Sequence, residues 1–153
     1  MGWRLDMGQQ FVVDPEIIDT EAVNDVLAQA HKKLKGIKGL MLAGTDGRAV
    51  GHRMDPDTVN PTAAVSASSL QLARRLADLL GEGDLNELTM RSEDGYVVLY
   101  AVGPLFVLTV LTLPTANIAM INHACRDIRQ ELMGLVEVSY MTRQRVTAAR
   151  TES

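Results

Sequence analysis

The chain has 153 residues, of which 46% are hydrophobic, 22% charged and 4% aromatic, a balance typical of globular proteins and not of disordered or fibrous ones. Fifteen basic residues against 19 acidic ones leave a formal net charge of −4, which argues against broad electrostatic binding to nucleic acid. A single cysteine, Cys125, excludes an internal disulfide framework, and no apolar run is long enough for membrane insertion. Residues 1–15 lack the apolar block of a secretory signal. We therefore expect a cytoplasmic protein built on one domain.

The first third of the chain predicts a helix followed by a hairpin. From residue 16 to about residue 35, apolar side chains recur three and four positions apart, as in an amphipathic helix. Residues 37–43 and 48–54 are predicted strands, and Thr45-Asp46-Gly47 between them is a hairpin signal.

The middle third predicts a second helix and then a strand. Asn60 is a candidate N-cap, and Pro61 after it suits the first helical position. This helix is predicted to reach Leu80. In residues 85–91 apolar and polar side chains alternate, which indicates a half-buried strand.

The last third predicts two buried strands and a helix. After a second turn at Ser92-Glu93-Asp94-Gly95, residues 96–102 and 105–113 are apolar on both faces and are predicted as central strands. Thr115 is a candidate cap for a helix whose apolar stripe covers residues 118–135. The order helix-strand-strand-helix-strand-strand-strand-helix, with hairpin turns, predicts an α+β fold with an antiparallel sheet in a three-layer α/β/α sandwich.

Three segments are distinguished by composition. Residues 1–15 are predicted to be an N-terminal extension, residues 16–136 the folded domain, and residues 137–153 a polar, basic C-terminal tail in extended helix or disorder.

Residues able to carry chemistry are few and scattered. His31, His52 and His123 fall on separate elements, and none stands beside a nucleophile in a recognisable catalytic arrangement. His123 and Cys125 lie two positions apart on a helix, about 200° around its axis, so they cannot bind one metal ion together. The glycine-rich residues 81–84 follow the end of a helix, where free carbonyls repel phosphate. We expect no catalytic residue, no cofactor and no metal site, and hence no enzyme.

The predicted second helix has an apolar arc about 200° wide, twice what a helix covering one surface needs. Its opposite face, with Gln71 and Arg74, is predicted to face solvent. The large side chains of the arc are predicted to pack on the sheet: Val65, Leu72, Leu76, Leu79 and Leu80. The other side of the arc is mostly small and is predicted to meet the same helix of a second copy: Ala63, Ser66, Leu70, Ala73 and Ala77. Alternatively, the arc is covered by loops of the same chain or by its N-terminal segment.

The predicted third strand offers a second contact between copies. It begins at Leu85 and opens the last three-stranded meander, so it can lie at a sheet edge with Glu87, Thr89 and Arg91 pointing outward. Antiparallel self-pairing would bring Glu87 and Arg91 of opposite copies near each other as a favourable cross-strand pair. We therefore expect a homodimer.

The order and spacing of these segments resemble the Roadblock family, which is named for a dynein light chain and is widespread in bacteria and archaea. The resemblance covers about residues 23–135 and rests on residues 36–42, 46–50, 63–70, 79–83, 96–102 and 106–111 together with the final helix. It implies a profilin-like, five-stranded antiparallel sheet with the second helix on one face and the other two helices on the opposite face. It also implies a homodimer through the second helix and third strand.

The resemblance implies a function as well. Bacterial members are similar to regulators of small Ras-like GTPases, and they have no chemistry of their own. A regulator or adaptor that binds such a GTPase on the shared second-helix surface is therefore expected. The alternatives are a nucleotide-independent signalling or motility scaffold, and a small-ligand sensor. A sensor needs a pocket with convergent polar groups, for which the apolar strand interiors offer no source.

Overall fold

The computed structural model describes residues 18–151, and for residues 137–147 and 151 it describes the backbone alone. Within this range the predicted order of helices and strands is confirmed. The elements are α1 (Thr20–Lys33), β1 (Ile37–Gly44), β2 (Ala49–Arg53), α2 (Pro56–Leu80), β3 (Glu87–Ser92), β4 (Gly95–Val102), β5 (Phe106–Thr112) and α3 (Ile118–Thr151).

The five strands of the described chain form one sheet in the order β2-β1-β5-β4-β3, and every neighbouring pair is antiparallel. The predicted antiparallel sheet is confirmed. So is the central position of β4 and β5, whose side chains are mostly buried on both faces. β3 and β2 lie at the two edges, as the alternating pattern of β3 indicated.

The helices cover both faces of the sheet, which confirms the three-layer prediction. On one face α1 and α3 enclose a core that includes Leu27, Leu40 and Leu132. On the other face α2 contributes Leu70 to a smaller core with Met41. The alternation of side chains along each strand feeds the two cores separately.

Two helices begin later than predicted, because asparagine or aspartate side chains nearer the helix provide the cap. α1 begins at Thr20 rather than residue 16, since the Asp19 carboxylate accepts a 3.0 Å hydrogen bond from the backbone N–H of Ala22. α3 is capped by Asn117, whose Oδ1 accepts a bond from the N–H of Met120, and the predicted cap Thr115 is wrong.

α2 begins earlier than predicted. Its N-cap is Asp55, whose carboxylate accepts a 3.1 Å hydrogen bond from the N–H of Asp57, and Pro56 takes the first helical position. The predicted cap at Asn60 and Pro61 is therefore wrong, and Pro61 lies inside the helix. There it lacks the N–H that would bond the carbonyl four residues earlier. Two similar Asx-Pro signals stand close together, and the chain uses the first.

The predicted turn at residues 92–95 is a tight hairpin between β3 and β4. Gly95 has a φ of +145°, and a Cβ at this position would lie 1.8 Å from the carbonyl oxygen of Thr112. The backbone of β5 therefore passes where any other side chain would begin, and only glycine fits.

α3 continues as a single helix of 34 residues, about 51 Å long at 1.5 Å per residue. Its backbone passes residue 136, the predicted end of the domain, without a break, and of the two predictions for the tail the helical one holds up to residue 151. The predicted extension at residues 1–15 lies outside the described residues. Between residues 18 and 151, no helix combines the length and apolarity that a membrane span requires.

Candidate interaction surface

The small side chains of α2 face the sheet. Ala63, Ser66 and Leu70 are buried there, and the Oγ1 of Thr109 on β5 donates a 3.0 Å hydrogen bond to the Oγ of Ser66. Assigning these three residues to an exposed partner-binding side is therefore wrong. Ala73 and Ala77 are half-buried at the border of the covered face, and their part in an interface stays a prediction.

The large side chains of the same helix are left in solvent. The prediction that they pack on the sheet is wrong, because the sheet surface beneath α2 already carries bulky residues such as Met41, Leu99 and Val107. A helix can approach that surface closely only with small side chains. The large side chains, between 57% and 75% exposed, are Val65, Leu72, Leu76, Leu79 and Leu80.

These exposed residues form a regular row along the helix, which we call the α2 row. Val65, Ser69, Leu72, Leu76 and Leu79 follow one another at spacings of four, three, four and three residues. This is the spacing of a coiled-coil seam, in which one stripe of a helix packs against another helix.

A third side of α2 is anchored to the turns at one end of the sheet. The guanidinium of Arg74 donates hydrogen bonds to the carbonyl oxygens of Gly103 (2.8 Å) and Pro104 (3.1 Å) in the β4–β5 turn. Ala64 touches the β1–β2 turn, since a Cβ at Gly47 would lie 3.4 Å from its Cα. The prediction that Arg74 is solvated is wrong: burial lowers the pKa of its guanidinium, an effect that Asp84 opposes. These contacts hold α2 in place and leave the α2 row uncovered.

The outer edge of β3 presents unpaired backbone groups. The N–H of Ala101 donates a 3.1 Å hydrogen bond to the carbonyl of Asn86, so the backbone groups of every second residue from Asn86 point toward β4. Those of Glu87, Thr89 and Arg91, which alternate with them, point to the open edge. The predicted outward orientation of these three residues thus applies to their backbone.

The side chains of β3 divide between the two faces of the sheet. Glu87, Thr89 and Arg91 share the face covered by α1 and α3, because they lie opposite Tyr100, Val98 and Tyr96 of β4. Leu88 and Met90 share the α2 face, where Met90 is 44% exposed. Leu85, just before β3, is half-buried against the same core.

The opposite edge of the sheet is partly covered. The Asn24 side chain on α1 accepts a 3.2 Å hydrogen bond from the N–H of His52 on β2. A Cβ at Gly51 would lie 2.7 Å from the same Asn24 oxygen, so glycine admits the contact. Sequence reasoning missed this pairing, since nothing in the local pattern connects residues 28 positions apart. It leaves β3 as the more open of the two edges.

Chemically active side chains do not converge on a site. His31 and His123 are exposed and His52 is half-buried, each on its own element. Among the residues that the structure describes, no group of three or more His, Cys, Asp or Glu side chains is placed to hold a metal ion. Cys125 is buried, and this burial raises the pKa of its thiol to about 11. Its neighbour Tyr100 donates a hydrogen bond to the Asn122 side chain, a contact that sequence reasoning also missed.

Comparison with known proteins identifies the fold. The family model of the Roadblock/LC7 domain matches residues 23–112. The chain belongs to the Roadblock/LC7 family. The matched segment includes α2, β3 and the sheet, and the predicted family is confirmed.

Solved Roadblock/LC7 relatives share the architecture at low identity. MglB of Myxococcus xanthus superposes with a TM-score of 0.73 at 16% identity, covering 86% of this chain and 96% of that one. The gliding protein MglB of Thermus thermophilus has a TM-score of 0.69 at 17% identity, covering 87% and 98%. A further MglB structure, described as having a tetrameric arrangement, has a TM-score of 0.72 at 18% identity, covering 88% and 99%. No curated protein matches the sequence significantly.

Membership of the Roadblock/LC7 family supports a regulator or adaptor role in a GTPase-related system. The family consists of regulators rather than catalysts, so the surface to be explained is one that binds other proteins.

Proposed function

We propose that this chain is a cytoplasmic, homodimeric regulator or adaptor that binds a small Ras-like GTPase on a surface shared by two copies of α2. The observation that carries the proposal is the α2 row, whose large side chains are exposed along the helix. A contiguous apolar surface of this kind is typical of a protein–protein interface.

A second copy of the chain suits this surface. The coiled-coil spacing of the α2 row lets the same helix of another copy pack against it across a two-fold axis. Each leucine that is buried in this way contributes on the order of 2 kcal/mol to association before the entropic costs are subtracted. Met90 adds apolar surface on the same face, next to the open edge of β3.

The GTPase part of the proposal rests on family membership. A regulator without catalytic side chains acts by holding the catalytic groups of the GTPase in position or by blocking their movement. Two α2 helices side by side provide a composite surface that a single copy lacks. Dimerisation and GTPase binding are therefore coupled in this proposal.

Light scattering on wild-type protein and on Leu76→Glu tests the dimer. Leu76 is exposed, so a charge there is tolerated by the folded monomer but is buried without a partner in the proposed interface. We expect a wild-type dimer, and a Leu76→Glu monomer with an unchanged circular dichroism spectrum. The matched control is Gln71→Glu, which adds the same charge on another exposed side of α2 and should remain dimeric. A wild-type monomer at all concentrations would contradict the proposal.

Binding assays with purified Ras-like GTPases loaded with GDP or with a GTP analogue test the partner. We expect wild-type protein to retain a GTPase in one nucleotide state and Leu76→Glu to lose it. Binding that ignores the nucleotide would favour the scaffold alternative, and binding in neither state would contradict the GTPase proposal. A small molecule retained in native mass spectrometry would favour the sensor alternative.

A further inference from the structure

One carboxylate oxygen of Glu87 is buried without a hydrogen-bond partner. Glu87 lies opposite Tyr100 on β4, in a region that also contains Cys125 and Arg129. The Nε of Arg129 is already bonded to the carbonyl of Ala101 at 2.9 Å. In the described part of the chain, the one ion pair within 4.0 Å joins Arg48 and Asp46 and does not involve Glu87. A buried carboxylate oxygen without a partner is costly, and its site is therefore incomplete in a single copy.

The nearest cation on the same strand and face is Arg91, which is exposed. It lies four residues away, about 13 Å along the strand at 3.3 Å per residue. That distance does not allow close pairing with Glu87 of the same copy. A second copy that adds its β3 strand to the open edge brings another Arg91 within reach.

The backbone allows only certain registers for such pairing. Residues with outward N–H and C=O groups, namely Glu87, Thr89 and Arg91, must face residues of the same kind in the second copy. Three centres of symmetry satisfy this condition within β3, at Leu88, Thr89 and Met90.

Charge distinguishes the three registers. With the axis at Leu88, Glu87 faces Thr89 of the second copy and gains no opposite charge. With the axis at Met90, Glu87 faces Glu93 of the second copy, which is repulsive. With the axis at Thr89, Glu87 faces Arg91 of the second copy directly, and each copy provides the cation for the other.

We propose that the second copy completes the Glu87 site: β3 pairs antiparallel with β3 of the other copy about an axis at Thr89, and Arg91 of each copy binds the unpaired Glu87 oxygen of the other. The proposal rests on the homodimer of the proposed function and specifies its register. On the α2 face the same register places Leu88 against the exposed Met90 of the second copy, an apolar pair beside the α2 row. Both faces of the strand are then complementary.

Cysteine cross-linking tests the register. In the proposed pairing the two Thr89 Cα atoms are about 5.5 Å apart, within the range of a disulfide. Thr89→Cys is therefore expected to form a covalent dimer under mild oxidation with copper phenanthroline. Arg91→Cys is the matched control, since its two copies lie about 13 Å apart and should not cross-link. The native Cys125 is buried, so wild-type protein should also remain uncross-linked.

Charge reversal tests the ion pair. Arg91→Glu places two carboxylates opposite each other and is expected to raise the dimer dissociation constant at least tenfold. Mixing Arg91→Glu with Glu87→Arg restores both pairs in the heterodimer and should restore its dissociation constant to within a fewfold of the wild type. Arg53→Glu makes the same charge change on the exposed end of β2 and should leave the dissociation constant unchanged.

The outcomes separate the register from the dimer itself. Cross-linking through Leu88→Cys or Met90→Cys in place of Thr89→Cys, in a protein that is still dimeric, would overturn the register and leave the proposed function intact. A dimer unaffected by Arg91→Glu would overturn the ion pair. A wild-type protein that stays monomeric would overturn both this inference and the proposed function.

Discussion

The Oγ1 of Thr109 on β5 donates a hydrogen bond to the Oγ of Ser66 on α2 at a distance of 3.0 Å, and both residues are buried. This contact orients α2 about its own axis. With Ser66 against the sheet, Leu72 and Leu76 must point away from it. The exposed α2 row is thus a consequence of the contact between helix and sheet.

We predict that Ser66 and Thr109 are coupled in their contribution to stability. Thr109→Val or Ser66→Ala alone leaves a buried hydroxyl without its partner and should lower the free energy of unfolding by about 1–3 kcal/mol. The double variant removes both hydroxyls and should cost less than the sum of the two. Urea denaturation of the four proteins in a double-mutant cycle measures the coupling, and additive losses would contradict it.

We predict that Gly95→Ala is far more damaging than Gly81→Ala. A Cβ at Gly95 would meet the Thr112 carbonyl at 1.8 Å, so the β3–β4 hairpin has to shift, at a cost above about 3 kcal/mol. Gly81 also has a positive φ, of +67°, but nothing lies within 4 Å of its added Cβ. Its substitution should cost about 1 kcal/mol through the left-handed backbone alone. Equal losses in thermal or urea unfolding would show that the contact with Thr112 is unimportant.

We predict that Asn24 protects the outer edge of β2. Asn24→Ala leaves the N–H of His52 without its 3.2 Å acceptor and should accelerate hydrogen exchange at that amide, with a stability loss of about 1 kcal/mol. Asn24→Asp retains an acceptor oxygen and serves as the control, with exchange close to the wild type. Unchanged exchange of the His52 amide in Asn24→Ala would contradict the assignment.

We predict that stability declines at alkaline pH because of Cys125. Burial raises the pKa of its thiol from 9.0 to about 11, so between these values the unfolded chain releases a proton that the folded chain retains. The contribution is complete below about pH 9 and is lost as the pH rises toward 11. Burial also raises the pKa of Tyr100, which extends the decline to higher pH.

The free energy of unfolding, measured from pH 7 to 11, tests this prediction. Cys125→Ala removes the thiol proton and should decline less steeply over that interval than the wild type, whatever its absolute stability. Identical slopes would contradict the assignment. The folded protein should also resist thiol labelling at pH 8, since the Cys125 side chain is buried and protonated.

Local turn chemistry explains why the order of elements could be predicted. Asp46-Gly47 and Asp94-Gly95 satisfy the backbone demands of tight hairpins whatever surrounds them, so the strands on either side follow from the sequence. Helix starts were less predictable, because Asp55-Pro56 and Asn60-Pro61 are both good local signals. The structure uses Asp55, which directly follows the end of β2.

For the candidate interface, the sequence by itself determined that α2 is apolar over about 200°, more than one surface can cover, because helical periodicity is a local property. It also determined that β3 is a strand suited to an edge. Only the tertiary structure decided which part of the arc meets the sheet. That choice depends on Met41, Leu99 and Val107, which come from three different strands and leave room only for small side chains on the helix. Volume shared between distant segments has no signature in local spacing, and for that reason the two sides of α2 were interchanged in the prediction.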